Sequence, residues 1–187
     1  MNEDIKKAVD VLRSGGVILY PTDTIWGLGC DATNKEAVDK IYRIKQRDDS
    51  KSMLVLIDNP SKLNSYLDVV PDIAWDLIDV SEKPLTIIYP GAKNLPDNLV
   101  AADGSVGIRV TNEEFSRNLC QRFRMPLVST SANISGKPAP VSFSEIDPEI
   151  IDQVDYVVQY RQEDYSKAAP SGIVKLGING EVTVIRE

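Results

Sequence analysis

The feature that most constrains this 187-residue chain is an alternation. Short runs rich in Val and Ile are separated by segments whose apolar residues recur at helical spacing. Residues 17–20, 53–57, 85–89, 106–110, 126–129, 156–159 and 172–176 are too short for helices and read as strands. Between them, Ile5, Ala8, Val9 and Leu12 predict a helix stopped by Gly15-Gly16. Ala37, Ile41, Tyr42 and Ile44 predict a second, with Thr33 and Glu36 in capping-box spacing. A third follows Pro71, carrying Ile73, Trp75, Leu77 and Ile78, and a fourth starts near Thr111, with Glu114 three residues on. Strands alternating with helices point to an α/β sheet. Asn179-Gly180 between two β-rich runs signals a terminal hairpin, so part of the pairing must be antiparallel. The expectation is an α/β fold with an open, twisted, mixed sheet flanked by helices, in a single domain over residues 1–187.

Composition narrows the chemistry. The chain has no histidine, which removes the Ser-His-Asp triad, Cys-His nucleophiles and His metal ligands together. Catalysis must then run on Lys, Arg, carboxylates, hydroxyls or a borrowed metal. A net charge of -7 opposes a surface that grips nucleic acid throughout, so a polyanion must meet a local basic patch. Cys30 and Cys120 have no CxxC spacing, which suggests neither a disulfide framework nor a zinc site. With no signal peptide or long apolar span in the sequence, a cytoplasmic location is expected.

Three segments carry chemical character. Pro21-Thr22-Asp23-Thr24-Ile25-Trp26-Gly27-Leu28-Gly29-Cys30 is longer than a tight connection between a strand and a helix needs. Its Gly27-x-Gly29-x-x-Ala32 imitates a dinucleotide fingerprint, but six residues separate Tyr20 from Gly27, so it reads as a ligand-binding or packed loop. Next, Lys40, Arg43, Lys45, Arg47 and Lys51 cluster in an acidic chain. Lys45 and Arg47 reach one ligand together only where the chain leaves the helix, and such a clamp suits a polyphosphate; the plainer alternative is a solvated helix face. Last, Ser129-Thr130-Ser131-Ala132-Asn133-Ile134-Ser135-Gly136 follows a strand and presents neutral donors at a sheet edge, unless it is simply a Ser/Thr-rich turn. There is no Walker A pattern.

Taken together, residues 21–29, Lys45-Gln46-Arg47 with Lys51, Gly107-Ile108-Arg109-Val110, the 129–136 block and Pro170-Ser171-Gly172-Ile173-Val174 resemble the ordered signature of the YrdC-like family, in its short bacterial form. The resemblance implies threonylcarbamoyl-AMP synthesis from L-threonine, bicarbonate and ATP, with Mg²⁺ accompanying the nucleotide. It also implies hand-over of the product to a tRNA-modifying transferase complex. By that resemblance Thr24, Arg109, Ser129 and Ser171 contact threonine or carbamate. Arg47, Lys51, Ser105, Ser131, Asn133 and Arg186 contact ATP, Lys45 and Arg47 stabilise charge during transfer, and no protein side chain is singled out as a metal ligand. The chain departs from the family pattern where Ser81-Glu82-Lys83-Pro84 replaces the usual Trp-Pro-Gly-Pro, and where Gly172 follows Ser171 in place of threonine. The alternatives are a YciO-like paralogue without synthase activity and an RNA-binding or ribosome-assembly factor of the same fold.

Overall fold

The computed structural model describes residues 1–46, 53–164 and 170–187. Among these, nine strands form one sheet. Its spatial order is β7 (Tyr156–Val157), β1 (Ile18–Tyr20), β2 (Gly27–Gly29), β6 (Leu127–Ser131), β3 (Leu54–Ile57), β5 (Val106–Val110), β4 (Leu85–Tyr89), β8 (Gly172–Leu176) and β9 (Val182–Arg186). Three neighbours run parallel, β1 with β7, β3 with β5 and β4 with β8, and the other pairs are antiparallel. The sheet is therefore mixed, as the Asn179-Gly180 signal required. Gly180 takes a φ of 87° in that turn, a conformation that costs a residue without a Cβ little.

Two apolar layers sandwich the sheet because successive strand residues point to opposite faces. On one face α1 (Asn2–Arg13) and α5 (Glu114–Phe123) bury Ile5, Leu12, Phe115 and Leu119 against Ile18, Tyr20, Leu56 and Leu127. On the other, α2 (Lys35–Ile44) and α4 (Asp72–Val80) pack against a cluster containing Leu19, Val55, Ile57 and Val128. The short helices α3 (Leu63–Tyr66) and α6 (Pro148–Ile151) lie in connections.

The structure departs from the sequence expectation at three places. The segment 21–30 contains the strand β2, which is read as a loop on sequence because two of its three residues are glycine. A Cβ on Gly29 would lie 2.7 Å from the Tyr20 ring, so close strand packing, not loop freedom, demands that glycine. The second helix is capped by Asn34, which accepts from the Ala37 amide at 3.1 Å, while Thr33 instead turns to Asp31. The fifth is capped by Glu113, whose carboxylate accepts from the Phe115 and Ser116 amides. In both, a longer-reaching oxygen next to the helix wins over the threonine that the capping-box pattern favours.

Candidate functional site

Helices α1 and α5 cover only part of their face of the sheet. Over β4, β5 and β8 that face is left bare, and the residues standing on it change character accordingly. Ile87, Tyr89, Val106, Ile108, Val174 and Leu176 point into the opposite core. Their alternates Thr86, Ile88, Gly107, Arg109, Ile173 and Lys175 line a cavity of about 710 Å³. That volume is in the range of small-molecule sites. Ser129 and Ser131 of β6 enter from one side, and Thr24 and Trp26 close another. Of the expected contacts, Thr24, Ser105, Arg109, Ser129, Ser131, Ser171 and Arg186 all line this one cavity, although they come from widely separated segments.

Arg109 is a deeply buried cation on the cavity lining. Its Nη2 lies 2.9 Å from Asp23 Oδ1, with the two side chains only 3% and 9% exposed. The contact is ionic more than an aligned hydrogen bond, since Asp23 Oδ1 and Arg109 Nε both lack hydrogen-bond partners among the described residues. Burial pushes the Asp23 carboxyl above its ordinary value, and Arg109 pulls it part of the way back. The guanidinium is thus fixed from behind by Asp23 where it lines the cavity, an arrangement suited to receiving a carboxylate.

The hydroxyls are similarly organised. Thr22 donates to the Ile25 carbonyl at 2.7 Å and accepts from the Thr24 amide at 3.1 Å, which folds the 21–25 segment over the cavity. Ser105 donates to Asp103 at 2.6 Å, and Lys175 reaches the other oxygen of that carboxylate at 2.6 Å. These donors hold Asp103 well below the usual carboxylate range. Ser171 Oγ lies 3.0 Å from Thr86 Oγ1, and Arg186 Nε donates to the Ser171 carbonyl at 2.9 Å.

Lys45 and Asn133 stand one layer behind the lining. Lys45 is 1% exposed. Its Nζ donates to the Ser131 carbonyl at 2.5 Å, the Asn133 carbonyl at 2.7 Å and Asn133 Oδ1 at 3.3 Å. The ammonium therefore braces the turn that carries Ser131, and Asn133 closes it by donating to the Lys137 carbonyl at 2.7 Å. Arg47 and Lys51 lie outside the described residues. Thr86, Asp103 and Lys175 were missed on sequence; for Thr86 and Lys175 a signal existed, since each of β4 and β8 alternates a polar residue into a run that a strand buried on both faces would fill with Val or Ile. Among the described residues no group of three or more Cys, Asp or Glu converges to hold a metal. No helix among them is long and apolar enough to cross a membrane.

A family model for Sua5, YciO and YrdC proteins, described as Telomere recombination, matches residues 10–187. A threonylcarbamoyl-AMP synthase of Pseudoalteromonas translucida is 36% identical over 181 residues, covering 95% of both chains. A putative threonylcarbamoyl-AMP synthase of Methanocaldococcus jannaschii is also 36% identical, over 99% of this chain and 87% of the relative. Among solved structures, YciO of E. coli superposes with a TM-score of 0.86 at 28% identity, over 100% of this chain and 90% of that one. Sua5 of P. abyssi complexed with L-threonine superposes with a TM-score of 0.85 at 24% identity. That match covers 97% of this chain but only 53% of the Sua5 chain, so it speaks to the fold of the shared half.

Proposed function

We propose, from the premise that this chain belongs to the Sua5/YciO/YrdC family, that it is a threonylcarbamoyl-AMP synthase, a nucleotidyltransferase that supplies the threonylcarbamoyl group for tRNA modification. The observation that carries the reading is the single cavity in which Thr24, Arg109, Ser129, Ser171, Ser105, Ser131 and Arg186 converge. The reaction needs no covalent protein nucleophile. The threonine amine condenses with bicarbonate to give a carbamate and water; a carbamate oxygen then attacks the α-phosphate of ATP, and pyrophosphate leaves with the electron pair of the broken P–O bond. What the protein must supply is positioning and positive charge, which a site without histidine can do.

In this reading Arg109 forks the threonine carboxylate, with Thr24, Ser129 and Ser171 donating around it. Ser105, Ser131 and Arg186 face the nucleotide, joined by Arg47 and Lys51. Lys45 adds its charge from behind and, with Asn133, holds the 131–133 turn. Mg²⁺ would arrive with ATP as part of the substrate, held by the nucleotide phosphates; Asp103, the carboxylate among the described lining residues, is already engaged by Lys175 and Ser105. The unstable product is handed to a transferase complex acting on tRNA, and the setting is cytoplasmic.

The test is pyrophosphate release by the purified chain with ATP, Mg²⁺ and bicarbonate, with and without L-threonine. Threonine- and bicarbonate-dependent release is expected, falling at least about a hundredfold in Arg109→Ala and in Arg47→Ala. A second reading, a YciO-like protein without the activity, draws on the superposition with YciO, and absence of release with threonine would favour it.

A further inference from the structure

We propose that Thr86 is a positioning residue that sets the Ser171 hydroxyl as a donor to an anionic oxygen of the bound amino-acid substrate, an inference that rests on the substrate reading above. Both residues are 3% exposed, and both line the cavity. Thr86 stands on β4 and Ser171 immediately precedes its parallel neighbour β8, with Leu85 beside Gly172 and Thr86 beside Ile173.

The Thr86–Ser171 contact admits either hydroxyl as donor, and the surrounding donors bias it. A guanidinium has no acceptor, so Arg186 Nη2, 3.4 Å from Ser171 Oγ, can only donate to it. Thr86 Oγ1 has Ser171 Oγ as its one partner among the described residues, at 3.0 Å. Two hydroxyls sharing one contact use one proton and leave the other for the cavity. When an anionic oxygen enters, the favoured arrangement is Thr86 donating to Ser171 and Ser171 donating to the ligand. Two donors then stand behind Ser171 Oγ and polarise its O–H outward. The fold itself does not explain the hydroxyl at position 86, since it bonds no backbone group and Val would suit the strand at least as well. Arg186, meanwhile, holds the Ser171 backbone through Nε, so the oxygen that Thr86 addresses is itself anchored.

The experiment is a cycle in pyrophosphate release at varied L-threonine, with threonine Kd by calorimetry alongside. It compares the wild type, Thr86→Val, Thr86→Ser, Ser171→Ala and the Thr86→Val/Ser171→Ala double variant. Thr86→Val keeps the shape and removes the donor. The threonine KM and Kd are expected to rise about threefold to tenfold, with kcat changed by less than about twofold. Thr86→Ser should restore both, and Thr86→Val should add nothing once Ser171 is alanine. Unchanged threonine affinity in Thr86→Val, or an equal loss in both backgrounds, overturns the proposal. A wild type that binds threonine without releasing pyrophosphate defeats the synthase reading, while the Kd cycle still decides the role of Thr86. A wild type that binds no threonine overturns both.

Discussion

At the scale of single residues, the buried pair Arg109–Asp23 links stability to substrate binding. Removing one member strands the other charge out of water, so Arg109→Ala should lower unfolding free energy by on the order of 3 kcal/mol. Adding Asp23→Asn should return much of that loss, and denaturant titrations of the two single variants and the double variant check it. Full additivity would mean the two side chains do not act as a pair. The pH dependence has a definite sign. The folded carboxyl of Asp23 holds its proton more tightly than in the unfolded chain, so its contribution is greatest below the ordinary value of 3.8 and is lost as pH rises through the higher folded value. The Asp23→Asn profile should lack that downward slope, so the wild-type-minus-variant difference in stability should fall as pH rises through the folded value. Arg109 was legible in the sequence through the resemblance of Gly107-Ile108-Arg109-Val110 to a block of the family signature. Its partner was not, since nothing local in Pro21-Thr22-Asp23-Thr24 reveals a contact with a residue so distant in the chain.

At the scale of elements, the end of β6 and the turn after it depend on a lysine from the end of α2. Lys45→Met keeps the bulk of the stem but leaves the Ser131 and Asn133 carbonyls without that donor. A loss of about 2 kcal/mol is expected, together with faster amide exchange at Ser135, whose N–H bonds the Lys45 carbonyl at 2.8 Å. Unaltered exchange there would show that the turn holds itself. Most strands and the four longer helices were legible because period and composition agree in them. The strand β2 and the helix caps were not, because Gly27 and Gly29 answer to atoms on neighbouring strands and the caps to which nearby oxygen reaches the amides. The cavity wall lies between these cases. Its polar residues keep a strand's alternation, but only the coverage of the sheet by α1 and α5 shows which face stays open.

At the scale of the whole molecule, charge and exposure are unevenly spread. The chain carries -7, yet among the described residues of the cavity lining the cations Arg109, Lys175 and Arg186 outnumber the one carboxylate, Asp103. One of them hangs on the last strand of the sheet, where Val182, Val184 and Ile185 are 47%, 61% and 55% exposed. A chain ending at Gly180 should therefore lose most of its turnover with Arg186, while its thermal midpoint drops by only a few degrees, about what a lightly buried edge strand contributes. A collapse of the fold on truncation would show that β9 holds more of the structure than its exposure implies. The same arrangement makes this edge a gauge. A ligand that engages Arg186 must find β9 paired, so every opening of the strand waits for the ligand to leave. At a concentration of 100 times Kd, exchange of the β9 amides would slow about a hundredfold, and the strand's own clock would report occupancy of the cavity without any reaction taking place.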